Sequence, residues 1–128
     1  MQLTHDRAEG YFFIRAVRAD CVLVADRELR SSVIVAPDRL VENWPPTRAN
    51  DIDEAAMRSL VELEPEVVIL GTGVRQHFPA QQLLLPLLRN GVGVEVMDNS
   101  AAARTYNLLA AEGRRVVAAF LLEPSTSI

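Results

Sequence analysis

The second half of the chain alternates solid apolar runs with segments in which apolar residues recur every three or four positions. The solid runs cover residues 66–70, 92–97 and 116–122. These runs predict strands, and the last of them is apolar throughout, as is typical of a strand that is covered on both faces. The periodic segments predict helices. The alternation indicates an α/β fold, in which right-handed crossovers place the ends of the Leu70 and Met97 strands at one edge of a sheet.

The first helix of this half is predicted to begin at Asp51. Glu54 follows three residues later, as in a capping box, and Pro65 stops the helix. The helical spacing then predicts one buried face. Its members are Ile52, Ala56, Leu60 and Leu63.

A second helix is predicted to open at Pro79, and a third to cover about residues 101–112 before Gly113. Asn90 with the following glycine supplies the stop of the second helix. Pro86 lies inside that helix, so either the helix is kinked or its regular part starts later. The buried stripe expected on it consists of Ala80, Leu84, Leu87 and Leu88.

The first half of the chain is richer in short β-like segments. Residues 11–17, 21–25 and 32–35 are separated by short polar breaks, which favours an antiparallel meander and hence a β layer. Residues 37–50 contain Trp44 followed by two prolines and little periodicity. We therefore expect an ordered surface loop or a sheet edge there.

The length and composition are those of one domain with its own core. The chain has 128 residues, of which 49% are hydrophobic, enough for a core without a metal or disulfide. We expect a single domain over residues 1–128. It divides into a β-rich part (1–50), an alternating α/β part (51–122) and a short tail (123–128).

Charge and cysteine content narrow the function classes. The formal net charge is -4, and all 13 basic residues are arginines, so neither nucleic acid binding nor lysine chemistry is expected. Cys21 is the single cysteine, which excludes an intrachain disulfide. Asp6 and Glu9 make the start of the chain unlike a secretory signal, and no run is long enough to cross a bilayer. We expect a soluble cytoplasmic protein.

Several motifs of the chain resemble those of one small family. These motifs are Pro65-Glu66 with Gly71-Thr72-Gly73, Gly91 to Asp98, Ala103 to Leu109, and Glu112 to Val116. The family is the domain-of-unknown-function family that includes the mitochondrial respiratory complex I assembly factor 3 and the adipogenesis-associated domain protein, and the chain looks like a bacterial member. The resemblance implies a three-layer α/β domain, with a central mixed β-sheet flanked by helices and an additional N-terminal β layer. It implies no established catalytic activity.

The two strand ends outline a candidate pocket. The Gly-x-Gly turn after Leu70 resembles the start of a dinucleotide fingerprint, but the third glycine position holds Gln76, which favours a simple tight turn. At the other strand end, Asp98 is expected to cap a helix. Arg104 is expected to pair with Asp98 or with a bound carboxylate. The candidate pocket residues are Gly71, Thr72, Gly73, Arg75, Asp98, Asn99, Ser100, Arg104 and Tyr106, the last more typical of a core.

Catalytic and metal sites have little support in the sequence. Ser100, His77 and Asp98 could form a hydrolase triad, but no Gly-x-Ser-x-Gly elbow exists and Ser100 resembles a helix cap. His5, His77 and Cys21 share no metal-ligand spacing. We therefore expect no cofactor, no metal and no enzymatic activity.

Two functional hypotheses remain from the sequence. The first is a protein-interaction domain, which the resemblance directs towards respiratory complex I assembly, with respiratory complex subunits as partners, or towards a related housekeeping role. The alternative is a small-anion or metabolite-binding protein, or a cryptic enzyme, that uses the crevice near Gly71 and Asp98. In that crevice Arg75 and His77 could bind an anion or move a proton.

Overall fold

The computed structural model describes residues 7–8 and 10–124, with side chains from Gly10 onward. His5 and residues 125–128 of the expected tail lie outside these residues. Along the chain the strands are Arg7–Ala8 (β1), Tyr11–Phe12 (β2), Ile14–Arg18 (β3), Cys21–Val24 (β4), Arg27–Leu29 (β5), Val33–Ala36 (β6), Arg39–Glu42 (β7), Val67–Gly71 (β8), Gly93–Met97 (β9) and Val116–Phe120 (β10). The helices are Glu54–Val61 (α1), Gln81–Arg89 (α2) and Asn99–Ala111 (α3), and Ala49–Asp51 forms one 3-10 turn.

The central layer is a mixed five-stranded sheet in the order β7-β6-β10-β8-β9. β6 is antiparallel to β7 and β10, whereas β8 is parallel to both β10 and β9. All five residues of β10 are buried, as the unbroken apolar run predicts for a central strand. Gly71 lies beside Phe120 on one side and Met97 on the other. The carboxyl ends of β8 and β9 were expected to lie next to each other at the same end of the sheet, and this expectation is confirmed.

Helices and a small sheet cover the two faces of the central layer. One hydrophobic core joins α1 and α2 to the first face of the sheet. A second core joins the opposite face to α3 and to the three-stranded sheet β3-β4-β5. β1 and β2 form a separate two-stranded pair. The three-layer α/β class with an added N-terminal β layer is therefore confirmed.

The N-terminal half is divided differently from the predicted meander. The strand expected at residues 32–35 is β6, which belongs to the central sheet because all four of its side chains are buried. The strand expected over residues 11–17 is broken at Phe13 into β2 and β3. For residues 37–50, a surface loop or a sheet edge was expected. The sheet edge is confirmed, because β7 forms one edge of the central sheet.

The predicted starts of the first two helices need correction. α1 begins at Glu54 and not at Asp51, because the Asp53 carboxylate accepts the Ala56 N–H at 2.9 Å and so acts as the N-cap. Ile52, Ala56, Leu60 and Leu63 are nonetheless buried. α2 begins at Gln81, two residues after Pro79.

The packing of α2 also differs from the predicted stripe. Leu87 is fully buried, but Ala80 and Leu88 are exposed and Leu84 is half-buried. Pro86 stays inside the helix, and the regular part does start later than Pro79. Among the residues that the structure describes, no helix is both long and apolar enough to cross a membrane.

Candidate functional site

The carboxyl end of β8 is closed by a side chain from α3. Asn99 is buried; its amide NH₂ donates to the Leu121 carbonyl at 3.0 Å, and its Oδ1 accepts the Gly73 N–H at 3.1 Å. A Cβ placed on Gly71 would lie 2.4 Å from this Oδ1. Gly71 is therefore required for the close approach of Asn99. The Asn99 amide fills the space beside the Gly71 Cα.

One hydroxyl organises the loop that follows β8. The Thr72 Oγ1 donates to the Arg75 carbonyl at 3.0 Å and accepts the His77 N–H at 2.9 Å. Gly73 has a φ of 107°, in the region that favours glycine. Gln76 donates its side-chain amide to the Val96 carbonyl at 2.8 Å, which ties the loop to strand β9. Of the two glycines of the Gly-x-Gly motif only Gly73 has a positive φ, and residues 73–75 form a bend in place of the expected tight turn.

The start of α3 matches the predicted cap. The Asp98 carboxylate accepts the Ala101 N–H at 2.8 Å, so Asp98 is the N-cap and Ser100 is not. The expected pairing of Arg104 with Asp98 is absent, because no ion pair among the described residues involves Arg104. Arg104 is exposed on the helix surface.

Two consecutive residues of α3 hold the N-terminal β layer in place. The Tyr106 hydroxyl donates to the Phe12 carbonyl at 2.8 Å, and burial raises the pKa of this phenol. The Asn107 side chain accepts the Ile14 N–H and donates to the Ile14 carbonyl, both at 2.8 Å. Asn107 thus pairs with the outer edge of β3 as a neighbouring strand would. Tyr106 is a core residue, as its pattern suggested.

An open groove lies between β3 and the start of α3. Two adjoining pockets of about 160 and 240 Å³ share Val17 and Ser100 as a common wall. We name them together the β3–α3 groove. Three arginines line it, and no aspartate or glutamate does. Its lining residues from the strand side are Ile14, Arg15, Ala16, Val17, Arg18 and Ala19, and from the other side Gly73, Val74, Asn99, Ser100, Ala103, Arg104 and Asn107.

A separate polar pocket of about 210 Å³ lies on the other side of the β8 end. It is lined by Arg48, Asn50, Thr72 and His77, with Ala49 beside them. His77 thus faces a different pocket from Ser100, and Asp98 is engaged as a helix cap. The arrangement does not assemble the three side chains of the hydrolase hypothesis around one pocket.

The predicted pocket residues are therefore distributed over several places. Gly73, Asn99, Ser100 and Arg104 line the β3–α3 groove, whereas Thr72 lines the polar pocket. Arg75 lines neither of these pockets. Ligand binding at the predicted set remains a prediction.

Sequence reasoning missed the arginines contributed by the first half of the chain. Arg15 and Arg18 were read only as polar positions in or beside a strand, and Arg48 as part of a loop. One usable signal was present on α3, since Ser100, Arg104 and Asn107 are spaced to share a helix face. No local pattern pairs that face with residues almost ninety positions earlier.

Other reactive side chains are isolated. Cys21 is buried, and burial raises the pKa of its thiol. In the part of the chain that the structure describes, no group of three His, Cys, Asp or Glu side chains is placed to hold a metal.

Comparison with known proteins identifies several relatives of the chain. The zebrafish NADH dehydrogenase [ubiquinone] 1 alpha subcomplex assembly factor 3 is 34% identical over 95 residues, covering 73% of this chain and 54% of that protein. The 13 kDa major membrane protein of Francisella tularensis is 31% identical over 65 residues, 51% of this chain and 53% of that one. The chain spans about half the length of these curated relatives.

Solved structures agree with this assignment. The solution structure of a Xanthomonas campestris protein has a TM-score of 0.84 at 39% identity and covers 99% of this chain and 94% of that one. A family profile described as "Protein of unknown function (DUF498/DUF598)" matches residues 14–121. The chain therefore belongs to the DUF498/DUF598 family, which also contains the complex I assembly factors that it resembles.

Proposed function

We propose that the chain is a protein-interaction domain that acts in the assembly of a respiratory complex. The relative described above is named as an assembly factor of NADH dehydrogenase and not as an enzyme. The structural observation that carries the proposal is the concentration of exposed large apolar side chains in one segment of the chain. Four of the five such side chains among the described residues lie between positions 74 and 88: Val74, Phe78, Leu85 and Leu88.

Two of these residues are on the loop between β8 and α2. Val74 is 71% exposed and Phe78 is 68% exposed, although the loop itself is fixed by the Thr72 hydroxyl and by Gln76. A fixed loop that presents apolar side chains to water is typical of a surface that binds another protein. The loop therefore supports association better than it supports chemistry.

The test is affinity purification of the tagged protein from its own cells, combined with measurement of NADH dehydrogenase levels after deletion. We expect respiratory complex subunits in the purified fraction and a reduced level of the assembled enzyme in the deletion strain. Replacement of Val74 and Phe78 with serine should reduce subunit recovery about tenfold, as the loss of central apolar anchors does. Leu108→Ser is the matched control, because Leu108 is 62% exposed but lies on α3. Recovery of the protein alone, with normal enzyme levels after deletion, would refute the proposal.

A second candidate function is small-anion binding in the polar pocket. The observation in its favour is that Arg48, Thr72 and His77 line one pocket beside the carboxyl end of β8, where open α/β sheets commonly bind ligands. Thermal unfolding with phosphate, citrate and nucleotides tests it. Stabilisation that is lost in Arg48→Ala but kept in Arg75→Ala supports this candidate, and no stabilisation by any of these anions removes it.

A further inference from the structure

The β3–α3 groove carries positive charge on a chain that is negative overall. Arg15, Arg18 and Arg104 line it without any acidic neighbour in the lining, although the whole chain has 17 acidic and 13 basic residues. Asp98 lies just before α3 but lines neither part of the groove. The groove is therefore a local exception to the charge of the molecule.

The charges of these arginines are not neutralised within the described residues. The ion pairs there use Arg27, Arg30, Arg114 and Arg115. Arg15 donates only to a neutral acceptor, the Ala25 carbonyl, at 3.1 Å. Guanidinium groups that lack an internal carboxylate can form paired hydrogen bonds with a carboxylate from outside.

An irregularity in β3 lies at Arg15 and changes how this residue faces relative to Arg18. Residues three apart in a regular strand face opposite sides of the sheet. The register of β3 against β4 shifts between Ile14 and Ala16, and one such irregularity restores the same facing for Arg15 and Arg18. Both of them do line the groove.

The spacing along the strand favours an extended ligand over a compact one. Three residues of strand separate Arg15 from Arg18 by about 10 Å. Arg104 lines the same part of the groove as Arg15, whereas Arg18 lines the part next to the exposed Val74. Two acidic side chains on an extended peptide match that spacing, with one carboxylate at each position along the strand.

We propose that the β3–α3 groove binds an extended acidic segment of a partner protein, with one carboxylate at Arg15 and Arg104 and a second at Arg18. The exposed Val74 would contact an apolar residue of the segment at that end. This inference rests on the proposed function, because it assigns a chemistry to the protein partner. It concerns a different surface from the polar pocket lined by His77.

Fluorescence anisotropy with a labelled octaglutamate peptide tests the binding chemistry. We expect saturable binding that weakens with added salt, and at least about a tenfold weaker affinity when Arg15, Arg18 and Arg104 are all changed to alanine. The matched control changes Arg39, Arg58 and Arg89, three exposed arginines that line neither the groove nor the polar pocket, to alanine. Equal weakening in both triple variants, or no binding by the unchanged protein, would overturn the inference.

Two further measurements separate peptide binding in the groove from unfolding and from small-anion binding. Arg104→Ala alone removes no contact found among the described residues, so it should weaken peptide binding without changing thermal unfolding. Inorganic phosphate and free glutamate serve as competitors. If either competitor displaces the peptide when both are present at the same concentration of negative charges, the groove is a small-anion site. The proposal that it binds an extended acidic segment is then wrong.

Affinity purification from the native cells separates this inference from the proposed function. If the unchanged protein recovers identified respiratory complex subunits and the groove variant does not, both stand. If both proteins recover them equally, the groove assignment fails while the proposed function survives. If the unchanged protein binds octaglutamate but recovers no such subunit, the assembly role fails and the groove chemistry stands.

Discussion

At the scale of single residues, the two strand ends are joined by neutral polar contacts and not by charge. Asn99 bonds to Gly73 and to the Leu121 carbonyl, and Thr72 closes the following loop. These side chains are buried and their polar atoms have partners, so each one is costly to remove. The predicted role of this region as a pocket therefore competes with a structural role that the contacts demonstrate.

Gly71→Ala tests the close approach between β8 and α3. The added Cβ would meet Asn99 Oδ1 at 2.4 Å and Phe120 Cδ1 at 3.2 Å. We expect the free energy of unfolding to fall by about 1–3 kcal/mol, as for other overpacked sites. Urea unfolding measures it. Gly93→Ala is the control, because its nearest neighbour would be 3.6 Å away and stability should be unchanged or slightly raised.

Tyr106→Phe tests the buried hydroxyl and has a pH signature. Loss of the bond to the Phe12 carbonyl should cost about 1 kcal/mol near neutral pH. Burial raises the pKa of folded Tyr106 above its ordinary value of 10.0. The unfolded state therefore binds fewer protons above pH 10, and the stability of the unchanged protein should decline as pH rises there. Urea titrations at pH 8 to 11 should show a shallower decline for Tyr106→Phe, and an equal decline in Tyr11→Phe and Tyr106→Phe would contradict the assignment.

At the scale of elements, α3 contacts three parts of the fold. Its N-terminus holds the loop after β8, its apolar face covers the central sheet, and Asn107 completes the edge of β3. The small N-terminal sheet is thereby attached to α3 in addition to the core that it shares with the central sheet. A change at that contact should release the β layer before it disturbs the central sheet.

Asn107→Asp tests this attachment. A carboxylate can still accept the Ile14 N–H, but it faces the Ile14 carbonyl without a proton to donate. We expect a loss of about 1–3 kcal/mol, the usual cost of an unsatisfied polar contact that is shielded from water. Asn50→Asp, at an exposed position, should change stability by less than about 0.5 kcal/mol. Hydrogen exchange by NMR should locate the lost protection in β3; unchanged exchange at Ile14 would count against the role of Asn107.

The elements also show how far the sequence carries the fold. Apolar runs located β8 and β10, because buried parallel strands need apolar residues on both faces. The run at β9 located an edge strand, none of whose residues is fully buried. The start of α1 was misplaced because Asp51 and Asp53 are both capable caps, and only the Asp53 carboxylate reaches an N–H of the helix. The groove could not be predicted, since Arg15 and Arg104 line one pocket only through the docking of α3 against β3.

At the scale of the whole molecule, the two ends of the central sheet are closed by different chemistry. Neutral amides and a hydroxyl close the carboxyl end of β8. At its amino end, Glu66 accepts bonds from the Arg114 side chain and the Arg115 N–H, both at 3.2 Å, and these contacts lower the pKa of Glu66. Arg115 also donates to the Leu63 carbonyl at 2.7 Å. Acid should therefore weaken one end of the sheet and spare the other.

Amide exchange at two pH values tests this asymmetry. In the folded protein the pKa of Glu66 lies below its ordinary value of 4.5. The contacts of the ionised Glu66 carboxylate therefore stabilise the fold above pH 4.5, and this stabilisation is lost as the pH falls through the folded pKa. Between pH 6 and pH 3, the Arg115 amide should lose protection relative to the Thr72 amide. Glu66→Gln should remove most of this difference, whereas Glu62→Gln should retain it. Equal loss of protection at both ends would show that Glu66 has no such role.

The interlocking of Gly71 with Asn99 has a consequence for how this family can diverge. A larger residue at position 71 is tolerated only after position 99 has become smaller, and a smaller residue at position 99 leaves the Leu121 carbonyl and the Gly73 N–H without their partner. Each single step therefore passes through a weakened intermediate. Related sequences should therefore either keep both residues or change both. In a lineage that has changed both, the space that the Asn99 side chain fills at the carboxyl end of β8 would be open.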